Sequence, residues 1–502
     1  MPLTPVIVRA PGFGGLSLEN EEITANAQFA KVAKNLVFDN AGRLASRKGY
    51  SNINDTTGVA ADTDKTQAIF VYDGSAGDSV ISAISDHIYE DTTDVQGSLA
   101  HTTAHWQFQN FNDKVVGCQQ GQTAIVYNGT GNFAAIAPKG GGTVDANGNC
   151  LHSAFGRLWA TNSSATVLYW CGLLDETEWP SATTPGDSGE LNILSSEAAV
   201  RSGFDKIVAI NHLQDKLVVF LENSIVILDN PEDPANMGIF KSIDNIGCIA
   251  RDSVQAVGND LVFLSRDGLR SLARAVEEDN FPLRDLSRHV RGDLLASLSG
   301  SPDAVKSAYY PDEGLYILLF TGSTAWVFDF KRVFEDGLPR VTTWDVPKWH
   351  SIYYHEGTLY IGQEGEYGKY DGYTEDGAAF QIEYKSLNVD FDSPNIKIIK
   401  KSVGAFSGAD AQPVTFTYEW DYGVQNKTSV VSLPAGSSAG VYGTSTYGTA
   451  VYGDGINRAK VQVNPFGTGQ ILAFGLKTFI DGTKFTVEQL SHYARIGRLS
   501  HE

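Results

Sequence analysis

One stretch, repeated with variation, constrains this chain more than any other. Gln214-Asp215-Lys216-Leu217-Val218-Val219-Phe220-Leu221 and Ser224-Ile225-Val226-Ile227-Leu228-Asp229 are two short, mostly apolar runs joined by a tight polar turn, Glu222-Asn223. An isolated hairpin is only marginally stable in water. Arms that are almost continuously apolar belong to a sheet covered on both faces. This hairpin therefore needs neighbours like itself, and the chain supplies them.

The pattern recurs from about residue 66. It is found at 79–90 (turn Ser85-Asp86), 113–128 (Gln120-Gly121), 156–170 (Asn162-Ser163), 215–229, 260–273 (Asp267-Gly268), 314–329 (Gly322-Ser323) and 357–371 (Glu364-Gly365). Asx and Gly turns are the chemistry that short hairpins need. A strand-like run precedes most of them: Ala104–Phe108, Lys206–Asn211, Ser253–Val257, Ala304–Tyr309 and Trp349–Tyr354. The turns are spaced by roughly 35–60 residues, which brackets the blade length of propellers. Radial stacking gives each such sheet two neighbours. A long meander or two sandwiches would show the same hairpins. The reading adopted is a β-propeller-like array of about seven hairpin repeats at 66–374. The 502 residues exceed a single ordinary core, so further domains are expected on either side.

Before the array, residues 1–65 read as an N-terminal arm with leading strands. Pro2, Pro5 and Pro11 restrict regular structure, and one short helix is expected around Ala25–Lys34. Two short strands then flank an Asp39-Asn40-Ala41-Gly42 turn, with Arg43, Arg47 and Lys48 as a small basic cluster. Within the array, long loops are expected at 137–148 and 175–196. Glu277–Leu298 is the one helical candidate there, with Leu286, Val290, Leu294 and Leu298 at helical spacing.

After Asp371 the rhythm changes. Phe380–Tyr384, Thr415–Trp420 and Ala459–Val463 alternate apolar and polar residues. Strands with one wet face predict a C-terminal β-sandwich over 375–502. A glycine-rich stretch at 435–455 carries Tyr442, Tyr447 and Tyr452, each followed by Gly. It reads as a projecting loop, with a Gly/Ser linker as the alternative. The chain closes on a strand and a basic tail that includes Arg495 and Arg498.

Little here is recognisable chemistry. No phosphate-cradling GxxxxGK[ST] loop, HExxH or GxSxG elbow occurs. Gly12-Phe13-Gly14-Gly15 lies in a Pro-rich arm instead of after a strand, so it is no dinucleotide fingerprint. His87, His101 and His105 are close in sequence but fall in a strand-like context unsuited to a shared metal. Ser265-Arg266-Asp267-Gly268 and Thr374-Glu375-Asp376-Gly377 approach the Asp-box of sialidase-like propellers, yet each lacks the residue between Asp and Gly. They read as simple Asp-Gly turns. No catalytic residue, metal or cofactor is expected. The four cysteines, Cys118, Cys150, Cys171 and Cys248, are widely spaced with no CxxC, and read as buried free thiols of a reducing cytoplasm. The N-terminus lacks the layout of a signal peptide, and no run reaches membrane-spanning length. A net charge of -21 argues against gripping DNA or an anionic membrane from outside. It is compatible with an acidic pore through which DNA slides.

Three features then meet. Leu36–Tyr50 (LVFDNAGRLASRKGY) precedes the array, a β-rich region follows it, and Val487–Arg498 ends the chain with a strand and arginines. In this the chain resembles the tail hub, nozzle or packaged-DNA-stabilisation proteins of short-tailed bacteriophages. Gly42-Arg43 and Arg47-Lys48-Gly49 match that family's leading stretch. The resemblance implies a non-enzymatic virion protein, made in the host cytoplasm and located in the tail. It would form a homo-oligomeric ring, usually a hexamer, below the portal and adaptor. The ring would continue the DNA channel, hold packaged double-stranded DNA non-specifically with a needle or plug, and dock tailspikes or fibres. Arms at 1–50 and 499–502 would suit strand addition between subunits. On this reading Arg43, Arg47, Lys48, Arg495 and Arg498 belong to assembly interfaces, and Tyr442, Tyr447 and Tyr452 contact the channel or plug. The alternative is a glycan- or protein-binding propeller, such as a receptor-binding tail component. A sialidase-like glycoside hydrolase is the third reading.

Overall fold

In the computed structural model the described residues are 3–19, 27–55, 64–75, 77–99, 105–182, 186–193, 205–273, 285–298, 302–408, 411–434 and 458–497. Strand accounts for 54% and helix for 5%, so the chain is all-β. Among the described residues no helix is long and apolar enough to cross a membrane.

All seven hairpins form, and each supplies the second and third strands of an antiparallel sheet. Four-stranded units lie at 66–94, 107–135, 151–192, 207–244 and 305–345, and a sixth at 351–370 borrows its outer strand from elsewhere. The sheet at 255–271 has three strands. The result is a propeller arrangement with six four-stranded blades, where the hairpin spacing predicts about seven. At 255–271 the outer strand position is taken by a loop: Leu286 N–H donates to the Leu269 carbonyl at 2.7 Å.

The central hairpin shows why the blades stack. Leu217–Leu221 are wholly buried, as are Ile225, Val226 and Leu228. Leu217, Val219 and Leu221 pack towards the sheet at 151–192, whereas Val218, Phe220 and Ile225 pack towards the one at 255–271. Side chains of a strand alternate between faces, so a continuous apolar run fills two interfaces. Each fully buried residue of this type contributes roughly 1.5–3 kcal/mol. The last interface closes the ring: Tyr367 packs on Ile69, Val71 and Val80 of the first sheet.

The N-terminal segment is woven into this chain's own sheets. Tyr50–Asp55 is the outer strand of the sheet at 351–370. Thr4–Arg9 pairs with Thr486–Ile496. Leu36–Phe38 pairs with Leu44–Ser46, which continues onto Thr486-Val487. Phe29–Lys34 is a strand, not the expected helix. It meets the outer blade strand Arg340–Asp345 at Thr343 and pairs antiparallel with Phe380–Ser386. Tertiary pairing here overrides the helix propensity of an Ala- and Lys-rich run. The other helical candidate is shorter than expected, with an α-helix at Arg291–Ala296; residues 274–284 lie outside the described residues.

The C-terminal strands therefore do not stand alone. They enter two sheets, one holding Lys397–Ser407 and Thr486–Ile496, the other Phe380–Ser386, Pro413–Trp420 and Leu472–Ile480. The two sheets meet through Phe406 against Phe416 at 6.1 Å and His492 against Phe474 at 4.0 Å between ring centroids.

Candidate functional site

The innermost strands surround a cavity of about 240 Å3 on the propeller axis, to which every blade and the three-stranded sheet contribute. At one level of it sits a charged cluster. A single 3-10 turn, Arg251–Ser253, leads into the strand Gln255–Val257. Ser253 holds that turn: its Oγ–H donates to the Ala250 carbonyl at 2.7 Å and accepts the Leu264 N–H at 3.1 Å. The Tyr316 hydroxyl donates to the Ser253 carbonyl at 2.6 Å. Arg251 and Asp252 are thus presented to the axis by a turn fixed from three sides.

The Arg251 guanidinium donates to Asp252 Oδ1 at 2.7 Å and Oδ2 at 2.9 Å. It also reaches across to the carbonyls of Asn149 at 2.5 Å and Trp106 at 3.2 Å, which precede the first strands of two other blades. Lys306 Nζ donates to Asp252 Oδ2 as well. Burial would raise the Asp252 carboxyl, but the two cations outweigh it and hold the group well below the usual carboxylate range. Burial lowers Lys306, with Asp252 opposing. Further along the axis, His152 Nε2 and His212 Nδ1 lie 2.8 Å apart. Burial, and then the neighbouring His212, push His152 down to about 3.

This cluster was invisible in sequence order. Arg251-Asp252 and Lys306 come from different sheets, and nothing local distinguishes them from surface charges. The available signal was position: each lies at the entry to a run that precedes a hairpin, which is where a propeller brings strands to its axis.

The basic residues singled out in the sequence lie at the seam between propeller and C-terminal sheets. Arg47 is buried, with its side chain 1% exposed. Its guanidinium donates to Asn35 Oδ1 at 3.0 Å and Glu375 Oε2 at 2.9 Å, and it lies 4.4 Å from the Phe380 ring centroid. It is committed within its own chain. Arg43 is half-buried, paired with Asp39 at 2.6 Å and Glu488 at 3.3 Å. Lys48 pairs with Glu313 at 3.1 Å and bonds the Tyr310 hydroxyl at 3.2 Å. Arg43 and Lys48 line one cavity of about 350 Å3 with Lys331 and Lys484, whereas Arg47 lines another of about 330 Å3. Arg495 is exposed on the last strand, opposite Ile398. Arg498, Tyr442, Tyr447 and Tyr452 lie outside the described residues.

Asn35 organises this seam, and the sequence reading passed over it. It takes a left-handed conformation, φ 57°, which Asn tolerates. Its Nδ2 donates to the Gln381 carbonyl at 2.7 Å, and its Oδ1 accepts the Asp345 N–H at 2.9 Å besides Arg47. One side chain thus joins the N-terminal segment, a blade and a C-terminal strand.

The acids of the two Asp-Gly turns line different cavities, Asp267 beside Glu222 and Asn223, Asp376 beside Arg47. Asp267 faces Arg270 at 3.4 Å. Among the described residues one group of three side chains has metal-ligating atoms within 4.8 Å of one another, namely Asp78, His355 and Glu356 at the surface. The cysteines are buried free thiols.

No protein-family model and no curated protein matches the chain. Similar solved structures include the computationally designed Ika8 protein, at 12% identity and TM-score 0.38, over 64% of this chain and 99% of that one. The WD40 propeller domain of Doa1 matches at 10% identity and TM-score 0.38, over 64% and 95%. The Pan2 WD40 domain of Neurospora crassa matches at 8% identity and TM-score 0.37, over 65% and 94%. This chain's own strand pairing defines its fold.

Proposed function

We propose that this chain is a non-enzymatic structural protein, the tail hub or nozzle of a short-tailed phage. The observation that carries the reading is the weaving of the strands at 4–9, 29–34 and 50–55 through both halves, because it joins propeller and C-terminal sheets into one continuous body. We read the three-stranded sheet as an incomplete seventh blade and the paired C-terminal sheets as a sandwich. A cavity of about 240 Å3 admits no duplex, so the DNA channel of such a hub runs between subunits, in a homo-oligomeric ring. A rigid propeller then offers loop faces to portal, adaptor, needle and tailspike or fibre. Arg43, Lys48, Arg495 and Arg498 remain the proposed assembly residues. Arg47 acts indirectly, by holding the seam. Tyr442, Tyr447 and Tyr452 are proposed to contact the channel or plug.

Negative-stain images of the purified protein, alone and mixed with a portal–adaptor complex, test this. Rings with a central hole are expected; monomers under both conditions overturn it. In a chain of net charge -21 the inner wall of the ring should carry more acids than bases, and a basic wall would refute passive sliding of DNA. The second reading is a glycan- or protein-binding propeller, favoured by the polar lining of the axial cavity. Binding to host-surface polysaccharide without ring formation would support it. Sugar release lost on changing Asp267 or Asp376 would instead indicate a hydrolase.

A further inference from the structure

The charges on the propeller axis do not balance. Two cations, Arg251 and Lys306, share one carboxylate, Asp252. Arg251 is 8% exposed and Lys306 is 6% exposed. The guanidinium uses its donors on Asp252 and two carbonyls. An ammonium has three N–H groups, and the Lys306 Nζ hydrogen bond within the cluster is to Asp252 Oδ2. Beyond Asp252, the acid acting on it is Asp303, which is exposed and outside the cavity lining. One positive charge on the axis is therefore left without a buried counter-charge, an expensive arrangement in a low-dielectric site.

The rest of the lining supplies hydrogen-bonding groups. Gln107, Gln109 and Gln255 line the cavity; Gln107 Oε1 accepts the Leu151 N–H at 2.8 Å, and Gln255 Nε2 donates one of its two N–H groups to the Ser307 carbonyl at 3.0 Å. The lone carboxylate on the wall has both oxygens occupied by Arg251, which blunts its repulsion of an incoming anion.

We propose that the axial cavity is a binding site for a small oxyanion, a phosphate or a carboxylate, held by Lys306 Nζ with glutamine amides around it. Charge-assisted hydrogen bonds from an ammonium are the strong ones, and the cavity is roomy enough for such an ion with bridging water. The site needs neither a ring nor a phage partner, so its test is separate from that of the hub reading.

Isothermal titration and thermal shift on the full chain test it, with inorganic phosphate in one arm, succinate in a second and chloride at matched ionic strength as the reference. Saturable binding in the first or second arm is expected, and the arm that responds tells phosphate compounds from carboxylic acids. In Lys306→Met, binding should weaken at least tenfold. In Gln109→Leu, which removes a half-buried amide from the lining, it should weaken about threefold to tenfold; this variant carries the test if Lys306→Met does not fold. No saturable response beyond chloride, or unchanged affinity in the variants, overturns the proposal.

Discussion

Tyr50 lies directly opposite Tyr370 in the antiparallel ladder that completes the last blade. The pair joins the N-terminal segment to the end of the array, so the ring is closed by a strand made long before the blade it finishes. Tyr50 is wholly buried and Tyr370 nearly so, with the Tyr370 ring stacked on Trp344 at 5.2 Å. Their burial explains why the closure holds although the strand arrives from a distant part of the chain.

That closure is sensitive to volume at Gly368. A Cβ there would stand 2.3 Å from the Ser51 carbonyl oxygen and 2.6 Å from the Tyr50 ring. Gly368→Ala should cost about 1–3 kcal/mol by overpacking, read as a lower urea midpoint. Gly238→Ala, where a Cβ meets nothing within 4 Å, should be neutral or slightly stabilising in the same assay. Equal stability of the two variants would contradict the register of the closing strand.

Arg47 is predicted to be a stability residue. Arg47→Met leaves Glu375 without its cation, although Trp349 Nε1–H still donates to that carboxylate at 2.8 Å. Breaking a buried pair costs about 3–5 kcal/mol, and the loss should fall near the lower end because the Glu375 side chain is 23% exposed. Arg47→Lys should also destabilise, since an ammonium cannot bond Asn35 and Glu375 as a planar fork does. Chemical denaturation of the three proteins decides it.

Acid should loosen the fold before the carboxylates titrate. Burial pushes His492 from the usual 6.5 down to about 3, and His105 down to about 4. In the unfolded chain these rings take up protons as pH falls through 6.5, while the folded ones stay neutral. The unfolded state then binds more protons, so stability declines from about pH 6.5 towards pH 3. His492→Gln retains a partner for Ser402 Oγ, now at 2.8 Å from Nδ1, and removes the titration. Its urea midpoint should fall less steeply than that of the wild type between pH 7 and pH 4.

The thiols should be silent in the native protein. Burial raises Cys118 and Cys171 to about 12 and Cys248 to about 11, and raises Cys150 as well. The thiolate is the reactive form. A maleimide reagent should label none of the four under native conditions and all four in denaturant; fast native labelling at any of them would show that its blade opens.

Some of this was legible because it is local. The turn Glu222-Asn223 and its apolar arms announce a hairpin in one short window, and the Asp39–Gly42 turn declares itself by chemistry: Asp39 Oδ1 accepts the N–H groups of Ala41 and Arg43 at 3.0 and 2.8 Å. The strand Phe29–Lys34 was misread because its Ala-rich composition favours helix, and only its distant partners say otherwise. Asn35 and the Arg251–Asp252–Lys306 cluster were missed because their partners come from elements far apart in the sequence.

Local patterning is enough to show that the chain is all-β, where its repeated hairpins fall, and that their arms must be covered on both faces. Hydrophobic patterning and turn chemistry act over a few residues, and those facts follow from them. Which strand finishes the last blade, that Phe29–Lys34 joins propeller to C-terminal sheets, and that two cations share one acid on the axis emerge only in the folded chain. Long-range pairing is selected by register, volume and the collective burial of whole faces, and no short window of residues carries that information.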